Sequence, residues 1–577
     1  MSRPRIYAQT FHPSPVDVAE VFHLVVWFRN ISRTDYRGDN RIGAFWYYQD
    51  FIPVVSNAVA EASKKIVQHR FCQKRVWEVI RHSHDGETEL VPLLSALEQL
   101  PQLRHEGHEN CTPAFCGLAT QNSTNVKQLH KCDYETCGTT HNTFDQRLLV
   151  SAINSRTMTT AWTLNGKSLV ANHRSFLAVS HVWADGTGNG TWKAGQVNKC
   201  LWGFWAKIAQ DLECDGVWWD TVCIPRDQAT KSKALPMMHN NYKYAKYTVV
   251  HDKYLAGTEW KDDGSPCIAL VLSPWFTRAW TALELLLSNK VFVVFWEAEH
   301  GYILKDLDDE VLAQHRFLDS HAHWIATEAV IRLRRASHTF ESARDLLSVL
   351  QARYTSWPQD QSIIAGLMCE LTQQAALSEQ EITKAIIVKL GGISPNCLLH
   401  NQPTMSEPQW SWCPPRFGDL APSGLSTPLK VKPDGTLFGL WQIRYIPYDK
   451  GVIRPSRAFG YVENQVRQAL YEPEQCIILT DPSFDSQGLL VRVKGHKQAD
   501  EWSRKTGDIY CQYIGGVDFN HSQIPQYIVK HVFIGYEPEM VDVGVVDWSS
   551  ETGESWSIDD GGGIRSRNST EWEDMYQ

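Results

Sequence analysis

One glutamate inside an apolar helical run has the residue type and position to do chemistry. Residues 273–288 begin with Ser-Pro, a pair suited to a helix start, and continue into a leucine-rich run whose only carboxylate is Glu284. Residues four apart share a helix face, so we expect Trp280 beside it. Since a glutamate is rarely buried without a partner, Glu284 should either line a cleft or pair with a basic neighbour, Arg278 or Lys290.

The segments around this helix alternate between strand-like and helical patterns. Apolar strand-like runs lie at 175–182, 216–223, 247–251 and 291–295, with helical patterns between them. This alternation predicts an α/β fold, a small doubly wound parallel sheet whose strands are joined by crossover helices. Ligands bind beyond the carboxyl ends of such strands, so the residues that follow each strand are the first candidates for a site.

Four ordered blocks of residues resemble a known family. They lie at 177–183, 218–225, 238–245 and 278–285. Together they resemble the fungal heterokaryon incompatibility (HET) domain over about 174–297. The HET domain is in turn similar to TIR domains, in which a Trp-Cys-Leu-x-Glu-Leu block carries the glutamate that cleaves NAD. The resemblance implies a TIR- or flavodoxin-like core in which Glu284 is the catalytic residue.

The chemistry of NAD cleavage suits a lone carboxylate. Breaking the nicotinamide–ribose bond builds positive charge on the sugar, which a nearby carboxylate stabilises. Nicotinamide leaves without being protonated, so one carboxylate suffices. The chain departs from the family at Leu283, where Gln is usual, and at Pro225-Arg226, where Asn-Gln is usual.

The resemblance also implies a substrate-binding surface around the glutamate. Its candidate residues are Ser180, Trp183, Asp185, Asp220, Arg278 and Trp280. The tryptophans would form a stacking wall, the serine and aspartates would hold ribose hydroxyls or water, and the arginine would reach a phosphate. Each also has a structural alternative: a strand end for the serine, a flexible loop for the first aspartate, a helix cap for the second aspartate, core packing for the tryptophans and an ion pair for the arginine.

Upstream of the core lies a stretch rich in cysteine and histidine. Two Cys-x4-Cys pairs supply four candidate metal ligands, Cys111, Cys116, Cys132 and Cys137. Four thiols in a short polar loop suit tetrahedral zinc, and the alternative is reduced surface cysteines without metal. A zinc ion there would be a structural staple, since four thiolates leave no open coordination position for a reaction.

Composition limits the classes of partner. The 577-residue chain is 43% hydrophobic and 21% charged, as expected of a multidomain globular protein. A net charge of -9 without a basic tract argues against nucleic acid as a partner. Without a signal-peptide pattern or an apolar run of about 20 residues, we expect a cytoplasmic protein with reduced thiols and no membrane span.

These patterns predict five regions. In chain order they are a mixed helical region (1–104), the Cys/His-rich segment (105–173), the HET (TIR-like) domain (174–300), a helical region (301–393) and an irregular β-rich region (394–577).

The resemblance implies a function in fungal self/non-self recognition and regulated cell death, with NAD as the substrate of a glycohydrolase centred on Glu284. The alternative is a non-catalytic signalling or scaffold module that acts by self-association or with an upstream recognition protein.

Overall fold

The computed structural model describes much of the chain between residues 59 and 535. The described ranges are 59–82, 89–113, 115–117, 126–132, 140–155, 159–172, 174–188, 195–312, 321–335, 340, 342–371, 374, 377–421, 428–446, 453–456, 461–471, 476–481, 487–496, 509–520, 524 and 527–535. Parts of the predicted N-terminal and C-terminal regions, 1–58 and 536–577, therefore lie outside the described residues. The chain divides into two compact units, one comprising residues up to Thr339 with Ala352–Pro358, the other Phe340–Gln351 with the residues from Gln359 onward.

A six-stranded mixed sheet lies at the centre of the first unit. The strands of this unit are β1 (His141–Thr143), β2 (Trp162–Thr163), β3 (Phe176–His181), β4 (Gln196–Asn198), β5 (Gly216–Trp218), β6 (Tyr247–His251), β7 (Val291–Phe295) and β8 (Ile303–Asp306). The sheet has the spatial order β2-β5-β3-β6-β7-β8, and β1 pairs with β4 separately. The four inner strands are parallel and the two edge strands antiparallel, so the predicted α/β class with parallel strands is confirmed.

The order of the parallel strands reverses between β3 and β6. In chain order the four strands lie second, first, third and fourth across the sheet, and β3 and β6 are neighbours. Their register places His181 opposite His251 at the carboxyl ends. In open α/β sheets, ligand crevices form beyond the carboxyl ends of the strands at such a reversal.

Helices connect these strands. The helices of the first unit are α1 (59–68), α2 (Gln73–His82), α3 (Leu90–Glu98), α4 (Gln146–Asn154), α5 (Lys199–Asp211), α6 (Asp220–Cys223), α7 (Gln228–Ala234), α8 (Met238–Lys243), α9 (Ser265–Leu272), α10 (Ala279–Leu287) and α11 (His321–Arg335). The connections from β5 to β6 and from β6 to β7 are helical, as crossovers between parallel strands require. Within the described part of the chain, no helix has the length and apolar character needed to cross a bilayer.

The helix that carries Glu284 begins later than the sequence predicts. It spans Ala279–Leu287, whereas Ser273 follows the end of α9. The Ser273 hydroxyl donates to the Leu270 carbonyl (2.6 Å) and accepts from the Phe276 amide (3.2 Å), so it stabilises the turn between the two helices. The predicted start at Ser273 was wrong because a Ser-Pro pair suits a helix end followed by a turn as well as a helix start.

Tryptophans fill the core beneath the carboxyl edge of the sheet. Five of the largest fully buried side chains of this unit are Trp162, Trp205, Trp218, Trp219 and Trp275. The indole of Trp162 donates to the Val222 carbonyl (3.0 Å), and that of Trp218 donates to the Thr160 hydroxyl (3.1 Å). These two buried indoles each combine a large apolar area with one fixed hydrogen bond, so they connect residues 160–162 to residues 218–222.

The second unit contains a β-rich region whose central strands form a closed ring. Its strands are β9 (Gly392–Ile393), β10 (Leu429–Val431), β11 (Leu437–Tyr445), β12 (Ile453–Pro455), β13 (Cys476–Thr480), β14 (Gln487–His496), β15 (Ile509–Phe519) and β16 (Ile528–Ile534). Strand β16 pairs with both β11 and β15, which closes the ring β11-β13-β14-β15-β16. The predicted β-rich character is confirmed, whereas its closure into a barrel was not predicted.

Among the described residues of the second unit, four helices accompany that barrel or precede it. They are α12 (Ala343–Gln351), α13 (Pro358–Met368), α14 (Glu379–Leu390) and α15 (Tyr461–Tyr471). Helix α14 begins with a capping box between Ser378 and Glu381 and ends at Gly391 in a left-handed conformation.

Candidate functional site

Glu284 lies at the carboxyl edge of the sheet, within hydrogen-bonding distance of β3. The hydroxyl of Ser180, the last residue but one of that strand, donates to the Glu284 carboxylate. The same hydroxyl accepts from the Trp275 indole N–H (2.7 Å). Ser180 is fully buried and Glu284 is 7% exposed. A chain of three side chains thus connects the turn before α10 to the carboxylate on that helix.

Burial dominates the titration of Glu284. Removal from water disfavours the charged carboxylate, and this effect outweighs the hydrogen bond from Ser180 and the positive charge of His181. Burial and the negative charge of the nearby Asp220 carboxylate together raise the pKa of Glu284 to about 7. Near neutral pH this side chain therefore exists in both protonated and ionised forms, as acid–base or charge-stabilising groups often do.

His181 and Asp220 form a close pair next to Glu284. The Nε2 atom of His181 lies 2.6 Å from an Asp220 carboxylate oxygen, and its Nδ1 atom lies 3.2 Å from the Val182 carbonyl. The other Asp220 oxygen accepts from the Trp183 indole N–H (2.9 Å). Asp220 therefore bridges the ends of β3 and β5 and does not serve as the helix cap considered above.

The charge on this pair follows from its geometry. Burial by itself would lower the pKa of His181, but the attraction of Asp220 and the hydrogen bonds at both ring nitrogens raise it to about 9. Burial would raise the pKa of Asp220, but His181 and the other donors lower it. These shifts favour an imidazolium and a carboxylate at neutral pH, and the Trp219 indole nitrogen lies 3.1 Å from the same Nε2 atom.

Trp183 is the solvent-exposed residue of this arrangement. Its side chain is 39% exposed, although Asp220 fixes its N–H. A Cβ at Gly188 would lie 2.3 Å from His181 Cε1 and 3.2 Å from Trp183 Cδ2, so the loop backbone packs directly on both rings. An exposed indole held in one orientation offers a surface on which a planar ring can stack.

Asp185 connects two loops. One of its oxygens accepts from the Thr187 amide and the other from the Lys253 amide, both at 2.7 Å. These bonds tie the loop after β3 to the loop after β6. Both carboxylate oxygens have backbone partners, which is a structural role beside the predicted ribose contact. The glycine-rich stretch that follows Asp185 is described only to Gly188.

The basic neighbours of Glu284 have other partners. Arg278 precedes the first residue of α10, packs over the Tyr354 ring (5.3 Å) and lies 3.4 Å from the Ser356 hydroxyl. Lys290 pairs with Asp306 (2.9 Å). The alternative of an ion pair between Glu284 and either residue is therefore not realised. Trp280 is half-buried one turn before Glu284, on the same helix face.

Two further residues at this edge escaped the sequence analysis. Tyr242 is fully buried in α8, with its hydroxyl 3.2 Å from the Val179 carbonyl and in contact with Glu284. His251, at the end of β6, is also buried; its Nδ1 atom lies 3.2 Å from the Thr187 hydroxyl. Its Nε2 atom has no partner among the described residues. Burial lowers the pKa of His251 well below the usual value, so this histidine is neutral. Its position at the end of a strand was the signal available in the sequence.

A second cluster of chemically active side chains surrounds Cys72. The thiols of Cys72, Cys111 and Cys116 and a ring nitrogen of His108 all lie within 4.8 Å of one another, and all four residues are buried. Three thiols and an imidazole in this arrangement could hold a metal ion such as zinc. Cys111 and Cys116 were predicted as ligands, whereas Cys72 and His108 were not.

The other predicted cysteines are not part of this cluster. Cys132 belongs to a separate group with His130 and Cys200, in which His130 is exposed. Cys137 lies outside the described residues. The structure thus divides the predicted four-thiol set instead of bringing it together.

Comparison of the chain with models of protein families, with curated proteins and with solved structures gives no match.

Proposed function

We propose that the first unit hydrolyses the nicotinamide–ribose bond of NAD, with Glu284 as the catalytic residue. The observation that carries the proposal is a carboxyl group with a pKa of about 7, held by Ser180 at the carboxyl edge of parallel strands. This is where open α/β sheets bind ligands. The resemblance to HET and TIR domains supports the same residue and a doubly wound, TIR-like core.

Glu284 would act in its ionised form. As the bond between ribose C1′ and nicotinamide nitrogen breaks, the electron pair leaves with nicotinamide and the sugar becomes positively charged. The carboxylate stabilises that charge, and it accepts a proton from the water whose oxygen bonds to C1′. The products are nicotinamide, ADP-ribose and a proton. The rate should therefore rise with pH through about 7, as Glu284 loses its proton.

The neighbouring residues would bind and orient the substrate. The exposed indole of Trp183 would stack on a substrate ring, while its N–H stays fixed by Asp220. The imidazolium of His181 would favour the ionised form of Glu284, since it lowers the pKa of that carboxyl. We also propose, from the resemblance, that this activity serves self/non-self recognition and regulated cell death.

A scaffold function without catalysis is the second candidate. It is favoured by the burial of Glu284 and by hydrogen bonds that satisfy it from within the protein, through Ser180 and Tyr242. In that case the carboxyl stabilises the packing of α10 on β3, and the unit acts by self-association or with an upstream protein.

Release of nicotinamide distinguishes the two functions. The full chain and its Glu284→Gln variant are incubated with NAD, and nicotinamide is measured by chromatography between pH 5.5 and 8.5. Glu299→Gln, an exposed glutamate of the same unit, serves as the matched control. We expect the control to keep the activity and the Glu284 variant to lose about 100-fold or more.

Equal rates of nicotinamide release in all three proteins would show that Glu284 is not the catalytic residue. The absence of nicotinamide release, together with self-association that survives Glu284→Gln, would favour the scaffold.

A further inference from the structure

We propose that Cys72, His108, Cys111 and Cys116 bind one zinc ion, which folds the loop around residues 103–117 onto α2. The proposal is independent of NAD cleavage. It replaces the predicted ligand set with one that contains a cysteine from far upstream and a histidine.

The distances within the cluster suit a tetrahedral ion. The Nδ1 atom of His108 lies 3.4 Å from the sulfur of Cys111 and 3.5 Å from that of Cys116. Zinc bonds of about 2.3 Å to sulfur and about 2.0 Å to nitrogen imply a sulfur–nitrogen separation of about 3.5 Å in a tetrahedron. Both separations from His108 therefore match zinc, all four donor atoms lie within 4.8 Å of one another, and a closed Cys3His set is typical of structural zinc.

The loop contributes few apolar side chains to a core. Among the described residues from 101 to 117, the buried side chains are Leu103, His105, His108, Cys111 and Cys116. Only one of the five is an ordinary apolar core residue. Ordering a loop costs about 1–2 kcal/mol of backbone entropy per residue, which so small an apolar core does not offset. A metal ion supplies the missing stabilisation, since its binding free energy becomes folding free energy.

The cluster also connects to the segment that leads to Glu284. The Cys72 amide donates to Nδ1 of His105 (3.2 Å), and Nε2 of His105 donates to the Leu272 carbonyl (3.1 Å). Leu272 ends the helix that precedes Trp275, whose indole binds Ser180. His105 also stacks on Tyr254, with 5.0 Å between ring centres. The zinc ion therefore helps to position the turn that carries Trp275. The indole of Trp275 donates to Ser180, and Ser180 donates to Glu284.

Metal content tests the ligand set. The full chain is purified without chelators, and zinc per chain is measured by elemental mass spectrometry in the wild type and in Cys111→Ser and Cys116→Ser. Cys267→Ser, which changes a fully buried thiol outside the cluster, is the matched control, and Cys132→Ser tests the other group. We expect the wild type and both control variants to keep the cluster's ion and the two ligand variants to lose it.

Cobalt provides a measurement that does not depend on a variant folding well. The wild-type protein is stripped of metal under reducing conditions and titrated with Co²⁺. We expect one ion to bind with tetrahedral absorption bands and with strong thiolate-to-cobalt bands. A wild-type protein that holds no zinc and shows no thiolate bands would overturn the proposal. So would an ion that Cys132→Ser removes and Cys116→Ser retains.

Hydrogen exchange tests the connection to Trp275. Removal of the zinc should increase exchange at least tenfold in peptides that cover residues 272–278, and it should leave residues 509–519 of the second unit unchanged. Unchanged exchange at 272–278 would show that the ion, where present, stabilises only its own loop and would overturn the inferred positioning.

Discussion

The Glu284 site and the Cys72 cluster belong to one unit, yet they are assembled in different ways. Ser180 and Asp220 come together because parallel strands end at a common edge, and α10 brings Glu284 to it. The cluster instead joins the residue before α2 to a loop with almost no regular structure. Backbone pairing creates the first arrangement, whereas the side chains themselves hold the second. The two should therefore respond differently to the loss of one side chain.

The largest effect is expected at the cluster. Cys116→Ser should lower the melting temperature of the first unit by about 10 °C in the presence of zinc, since the loop loses the ion that orders it. Scanning calorimetry of the full chain measures the change, with Cys267→Ser as the control. If the two variants melt alike, a buried thiol and not a bound ion explains the loss.

The ion pair at the edge of the sheet should give the next largest effect. Asp220→Asn leaves His181 buried without its carboxylate, which should cost about 3 kcal/mol near pH 6. The native pKa of about 9 exceeds the unfolded value of about 6.5, so this stability is present below pH 6.5 and is lost as the pH rises through 9. Denaturant unfolding at pH 6 and pH 9.5 should therefore show a smaller deficit at the higher pH.

An NMR titration of the histidine rings checks the cause. The His181 signal should titrate near 9 in the wild type and well below that value in Asp220→Asn, because the variant loses the charge and the hydrogen bond of Asp220, which raise the pKa most. Asp211→Asn, at an exposed position of the same unit, should leave the signal unchanged. A wild-type His181 that titrates near 6.5 would contradict the charged pair.

Titration of Glu284 should also lower the native stability as the pH rises, but over a lower pH range than that of His181. The native pKa of Glu284, about 7, exceeds the unfolded value, so the ionised form destabilises the fold, and the native stability falls between about pH 4.5 and pH 7. Glu284→Gln removes this dependence and should gain up to about 3 kcal/mol relative to the wild type between pH 5 and pH 8. Thermal unfolding across that range measures the gain, and a constant difference would show that Glu284 titrates normally.

Ser180→Ala should give the smallest effect. It removes a donor to the buried carboxylate and an acceptor for Trp275, which should cost about 1–2 kcal/mol at neutral pH. It should also raise the pKa of Glu284 further, because the hydrogen bond from Ser180 lowers it. Ser232→Ala, on an exposed helix surface, is the control. A variant as stable as this control would mean that neither partner depends on the hydroxyl.

The sequence predicted the four parallel strands of the first unit and the positions that follow them. The apolar runs at β3, β5 and β6 predict buried strands. Parallel pairing of these strands then places Ser180 and Asp220 at one edge of the sheet. It did not predict which polar groups pair there. The contact between His181 and Asp220 depends on side-chain rotamers that pattern does not encode, although both residues lay in the sequence blocks of interest.

The cluster was predicted in part for a different reason. Close spacing of Cys111 and Cys116 is visible in the sequence, but Cys72 reaches them only through the packing of α2 on the loop. A lone cysteine far upstream carries no spacing signal. In the same way, short strands such as β10 and β12 gave no indication that β16 would close a ring.

That last closure bears on the order in which the protein is made. Strand β16 (Ile528–Ile534) is the last strand of the ring in the sequence. It pairs with β11 in the antiparallel direction and with β15 in the parallel direction. Before β16 is synthesised, β11 and residues 509–511 of β15 therefore lack a partner strand on one side, and the ring is complete only after residue 534. During that interval the nascent chain exposes unpaired strand edges that can aggregate. A chaperone or a change in the rate of translation should therefore affect the yield of folded protein most strongly late in synthesis.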